Sequence, residues 1–111
     1  MTTFKASLGL CGLSQKEAAE YLGVSLDSVK GWCRGKTPPP RGVWDALSDL
    51  LARIEGAADN ASSMIEPDLM DRAAMNNVEA DAGENPLPSG ADAVAGALAL
   101  LLAIRDVRGD L

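Results

Sequence analysis

Residues 14–35 read SQKEAAEYLGVSLDSVKGWCRG. Ser14 opens a Ser-x-x-Glu pattern in which Glu17 reaches back to the cap, so a helix starts here. Ala18, Ala19 and Leu22 recur at helical spacing. Gly23 stands just past the last turn, where a left-handed conformation costs glycine least. Ser25 then caps a second helix with Val29, Trp32 and Cys33 on one face and Leu26, Asp27, Lys30 and Arg34 on the other. Ala19 falls where two crossing helices come closest, and a larger side chain there would push them apart. A steeply crossed pair needs the small residue, the turn glycine and the locking apolar positions together, and random amphipathic helices rarely supply all three. A buried apolar face opposite a polar, partly basic one suits a helix lying in a DNA major groove. Trp32 shares the stripe of Val29, so its indole is expected in the core and not stacked on a base.

Working outward, a first helix is expected over Thr3–Cys11, with Phe4, Leu8 and Cys11 on one stripe and Gly12 stopping it. Gly35 ends the third helix. Lys36-Thr37-Pro38-Pro39-Pro40 cannot be helical, because proline lacks an N–H and restricts its predecessor. Pro40 or Arg41 can open a fourth helix. Val43, Trp44, Leu47, Leu50, Leu51 and Ile54 make it amphipathic, with room to continue through Ala61. Residues 67–75 read as a helix of two to three turns with proline in its first turn. Residues 82–90 carry turn chemistry. The last helix, about Ala91 to Val107, is apolar nearly all round and is expected to be buried on more than one side. The reading is all-α: a helix-turn-helix domain over 1–57, then a helical dimerisation region over 58–111 with a loop near 82–90.

The chain has 111 residues and a formal net charge of −6. That sum hides a polarity. Residues 1–42 carry six basic and three acidic side chains; residues 43–111 carry four basic and thirteen acidic ones. Phosphate attraction is local, since salt screens charge beyond about 10 Å. A basic face therefore serves DNA while an acidic tail lowers non-specific affinity. All four aromatic residues, Phe4, Tyr21, Trp32 and Trp44, lie in the first half. The second half must bury Ala, Leu, Met, Ile and Val, a thin core for a monomer and an adequate one when two chains share it. There is no histidine, and Cys11 and Cys33 lack Cys-x-x-Cys spacing, so no metal site is expected and both thiols read as small buried hydrophobes. No Gly-rich phosphate loop follows a strand and no triad is available, so no enzyme and no cofactor are expected. The apolar run 91–104 is too short to span a bilayer of about 30 Å. The start lacks a signal-peptide pattern, and a cytoplasmic protein with no membrane partner is expected.

The stretch SQKEAAEYLGVSLDSVKGWCRGKTPPP resembles the lambda-repressor/Cro type of helix-turn-helix, the XRE group of bacterial and phage regulators. Leu13-Ser14-Gln15, Leu22-Gly23-Val24-Ser25 and Val29-x-x-Trp32-x-x-Gly35-Lys36 carry the resemblance, which covers residues 4–54. It implies a four- or five-helix DNA-binding unit that acts as a dimer. It also implies that Gln15 contacts the DNA backbone while supporting the recognition helix. Gly31 departs from the pattern, standing where members often carry a base-reading polar side chain. The Trp-containing helix, proline bend and following tail are also similar, more distantly, to small repressors of anti-CRISPR operons on mobile elements.

On the recognition helix, Leu26 and Asp27 lie at the start, nearest the bases, and Ser25, its cap, is also among the expected DNA-binding residues. Leu26 suits a thymine methyl, and Asp27 suits either a cytosine amino group or its own helix N-terminus. Ser28 and Lys30 reach bases or phosphates. Gly31 offers no side-chain readout but lets the backbone approach closely. Arg34, Lys36 and Arg41 are expected to hold phosphates, which position without specifying sequence. In the last helix, Val94, Leu98, Leu101, Leu102 and Ile104 are the expected dimer contacts. The leading reading is a homodimeric transcriptional repressor that binds a palindromic operator in duplex DNA and regulates its own operon. The alternative is an antitoxin whose tail binds a toxin protein. A third class, a protein-interaction module without DNA binding, fits the basic excess of the first half poorly.

Overall fold

The computed structural model of the protein describes residues 1–109, and among them every regular element is helical. The order is α1 (Thr3–Leu10), α2 (Gln15–Leu22), α3 (Leu26–Arg34), α4 (Arg41–Ser62), a 3-10 turn (Pro67–Leu69), α5 (Arg72–Met75) and α6 (Ser89–Gly109). The chain forms two compact units, Met1–Ala52 and a second beginning at Arg53, and the division falls within α4.

In the first unit the caps anticipated from sequence form. The Ser14 hydroxyl accepts from the Glu17 N–H at 3.1 Å, and the Glu17 carboxylate accepts from the Ser14 N–H at 3.1 Å. Those bonds hold the Glu17 carboxyl below its ordinary range, led by the backbone N–H of Ser14. The box is thus intact above the unfolded pKa of Glu17 and loosens as pH falls through the folded one. Gly23 closes α2 at φ 68°, and Gly35 closes α3 at φ 78°. α3 packs on both α1 and α2.

Phe4, Leu8, Cys11, Leu13, Ala18, Ala19, Val29, Cys33, Val43, Leu47 and Leu50 are buried in this unit. Phe4 is its aromatic centre. The Trp32 ring meets it edge-on at 5.6 Å between centroids and the Trp44 ring at 5.8 Å. Trp32 is therefore only half-buried, where the sequence pattern places it in the core: Phe4 already fills the centre, and the larger indole leans against it with part of its surface left outside. Cys11 and Cys33 are free and buried. Desolvation pushes both thiols up, and at Cys33 the charge of Lys5 opposes that rise. They stay protonated and serve as small apolar groups.

The second unit is built on alanine. Ala57, Ala58 and Ala61 on α4 and Ala91, Ala95, Ala99 and Ala103 on α6 are all buried. The i, i+4 spacing of the α6 set, and the i, i+3 and i, i+4 spacing of Ala58 and Ala57 to Ala61, give each helix a smooth stripe. Ala58, Ala61 and Ala99 form one cluster, covered by Ile65, Val78, Leu98 and Leu102. α6 also packs on the 3-10 turn. The Arg53 guanidinium donates to the carbonyls of Asn85 and Pro86 at 3.2 Å each, tying the loop before α6 to α4.

Three expectations for this half are corrected. Residues 67–75 do not form one helix. Met70 leaves the 3-10 turn with ψ 138°, and Asp71 caps a separate single turn by accepting from the Ala74 N–H at 2.7 Å. The expected loop near 82–90 ends sooner, because α6 already begins at Ser89. α6 also buries one face and not several: its alanine stripe is covered, while Leu101 on the far side is 63% exposed.

Gly96 shows how close the packing is. A Cβ there would clash with the Val78 carbonyl oxygen and lie 3.2 Å from its carbonyl carbon, and a backbone neighbour cannot step aside cheaply. Gly96→Ala, which in an open helix would stabilise, is expected to destabilise the second unit by about 3 kcal/mol, read as a fall in denaturant midpoint.

Candidate DNA-binding surface

The geometry of α3 separates its side chains by angle. Val29 and Cys33 are buried against α1 and α2. Asp27, Gly31 and Arg34 follow one another at i, i+4 and i+7 and form the stripe pointing away from them. Asp27 and Arg34 are exposed, and Lys30 and Gly31 beside them are half-buried. Leu26, 37% exposed at the first turn, is the apolar member of this surface.

The helix is held at both ends. The Ser25 hydroxyl accepts from the Ser28 N–H at 3.1 Å and donates to the Ser28 hydroxyl at 2.8 Å. Ser25 is thus committed to capping, while the Ser28 hydroxyl keeps its own proton to donate. At the other end the Thr2 hydroxyl accepts from the Lys5 N–H at 3.2 Å and donates to the Cys33 carbonyl at 2.7 Å. One threonine therefore caps α1 and ties down the last turn of α3. The sequence reading missed this role, because no local pattern pairs residues 31 positions apart.

Among the described residues the ion pairs are Arg41–Asp45 at 3.1 Å and Arg105–Asp106 at 3.8 Å. Lys30, Arg34 and Lys36 have no carboxylate partner among those residues. A cation left unpaired on an exposed face is available to phosphate. Arg41 differs: it turns toward Asp45 one helical turn along α4, though such an exposed pair contributes little and can be exchanged. Gln15 is half-buried at the first position of α2, where side chains adjoin the positive end of the helix.

The structure thus brings Leu26, Asp27, Lys30, Gly31 and Arg34 onto one continuous face, with Ser28 at its flank and Lys36 just beyond its end. Among the described residues no group of His, Cys, Asp and Glu side chains is placed to hold a metal ion. No described helix is long and apolar enough to cross a membrane.

The profile of the family described as "Helix-turn-helix domain" matches residues 6–61, half of the chain. No curated protein and no solved structure matches it. Two capped helices with a left-handed glycine between them and this match agree: the chain belongs to the helix-turn-helix domain family of DNA-binding proteins.

Proposed function

We propose that the protein is a sequence-specific transcriptional repressor of the XRE type, acting as a homodimer on an inverted-repeat operator and regulating its own operon. The observation that carries this reading is the set Lys30 and Arg34, on a helix whose inner side is locked in the core, with Lys36 just beyond its end, all three free of carboxylate partners among the described residues. Residues 1–57 would bind DNA, and residues 58–111 would join the two copies. The acidic second half repels non-specific duplex and so favours the operator over other sites. With no effector implied, occlusion of the polymerase is the simplest mechanism.

Dimerisation would use the side of α6 opposite the alanine stripe, where Leu101 is exposed and Val94 and Ile104 are half-buried. Leu98 and Leu102 serve this role less, because they already cover the cluster of Ala58, Ala61 and Ala99. Leu101→Asp is therefore the sharper test of dimer contact. It should leave helix content unchanged, yield monomers by light scattering, and lower operator affinity by more than about tenfold, since a two-fold dimer engages two half-sites about 34 Å apart. An intact chain that is monomeric at micromolar concentration would redirect α6 to a different protein partner.

The function itself is tested by selecting duplexes from a randomised pool with the intact protein and comparing them with the DNA upstream of its gene. An inverted repeat with half-sites one helical turn apart, present upstream and protected in footprinting, is the expected result. A pool that yields no common sequence overturns sequence-specific binding.

A further inference from the structure

We propose that Thr37, on the connector after α3, is a DNA-contacting residue: its hydroxyl donates to a backbone phosphate seated in the notch that Gly31 leaves on the recognition helix. This rests on the DNA-binding reading above and adds a residue and a contact that neither the helix pattern nor the cation set identifies.

Gly31 is the middle of the outward stripe, between Asp27 and Arg34, where every other position carries a side chain. The space beside it is not empty. A Cβ built on Gly31 would have the Thr37 hydroxyl oxygen as its neighbour, at 3.8 Å. The chain is folded back to this place by the end of α3. The Lys36 N–H donates to the Gly31 carbonyl at 2.9 Å and the Gly35 N–H to the Trp32 carbonyl at 3.2 Å, with Gly35 left-handed at φ 78°. This paired closure reverses the chain and returns the next residue along the helix surface. Pro38, Pro39 and Pro40 follow at once and restrict the backbone, so Thr37 is held there before DNA arrives.

Thr37 is exposed, and its hydroxyl has no hydrogen-bond partner within the described residues. Its surroundings identify the ligand. Arg34 and Lys36 stand three residues and one residue before it in the chain, both exposed, and neither has a carboxylate partner among the described residues. An exposed hydroxyl that follows two such cations in the chain, just past the end of the helix, is suited to donate to an anionic phosphate oxygen. The missing side chain at Gly31 gives that oxygen room to approach. Glycine here is not required by the backbone or by crowding: φ is helical, and an ordinary van der Waals contact is all that a methyl would meet.

The test uses the intact protein, the duplex it selects from a randomised pool, and an unrelated duplex of equal length. Thr37→Val keeps the shape and removes the hydroxyl. It should weaken binding to both duplexes by about tenfold, leaving their ratio and the salt slope unchanged, because no charge is lost. Gly31→Ala should raise the melting temperature by a few degrees while also weakening both affinities, because it improves the helix and fills the notch. Unchanged affinity in either variant overturns the proposal. A loss confined to one base pair of the selected site also overturns it, making Thr37 a base reader. A wild-type chain that binds neither duplex overturns the DNA reading itself, and this contact with it.

Discussion

Replacing Arg34 and Lys36 together by alanine should weaken binding to every duplex and flatten the dependence of log affinity on log salt by about two units, roughly one per lost phosphate contact. Neither side chain has a carboxylate partner among the described residues, and both stand at the end of α3, beyond its packed positions. The protein should therefore keep its melting temperature. That separation matters, because a fold defect would lower stability and affinity together without altering the salt slope. Titrations at several salt concentrations, with an operator and an unrelated duplex in parallel, give the reading. An unaltered slope in the double variant would mean that α3 does not lie along the backbone, and the assignment of the recognition helix would fall with it. Arg41→Ala should have a smaller effect, since its guanidinium already has Asp45 at 3.1 Å.

Phe4→Ala should unfold the first unit. Phe4 is 2% exposed and is the common partner of two edge-to-face contacts, one from α3 and one from α4. Removing a buried phenyl ring costs about 3–5 kcal/mol from lost transfer energy and the cavity left behind. A unit of this size has little more than that to lose. Trp32→Ala should cost less, because the indole is only half-buried. The ordering of the two variants in a denaturant titration is thus a check on which ring is central. If Trp32→Ala proves the more damaging, the packing around Phe4 is not as described. Loss of DNA binding in either variant should follow loss of structure, and Thr2→Ala, which releases the last turn of α3, should weaken both more mildly.

Much of the DNA-binding half is legible in the order of its residues. The capping box at Ser14, the left-handed glycines at 23 and 35, and the cap at Ser25 are all local: each is decided by groups within three or four residues of one another. The two faces of α3 are likewise a consequence of helical period, so Val29 and Cys33 had to turn inward together and Asp27 and Arg34 outward. The second half is less legible for the same reason. Its helix α6 is apolar nearly all round, and periodicity cannot choose a face when no polar stripe marks the other. The choice is made by α4, whose alanines admit the alanines of α6 and leave Leu101 outside. Residues 67–75 fail as one helix because Asp71 gains more as a cap than as an interior residue, a balance that spacing alone does not report.

The sequence by itself determined where α1 to α4 lie, that a sharp turn separates α2 from α3, and that cations collect on the exposed side of α3, because backbone hydrogen bonds and side-chain period act over a single turn. Only the tertiary structure decided that Phe4 stands between two tryptophans, that Thr2 ties down a helix 31 residues away, and that Thr37 returns to the place Gly31 leaves open. Those pairings depend on distances between elements, and side-chain volume and chain reversal set such distances only once the helices have packed.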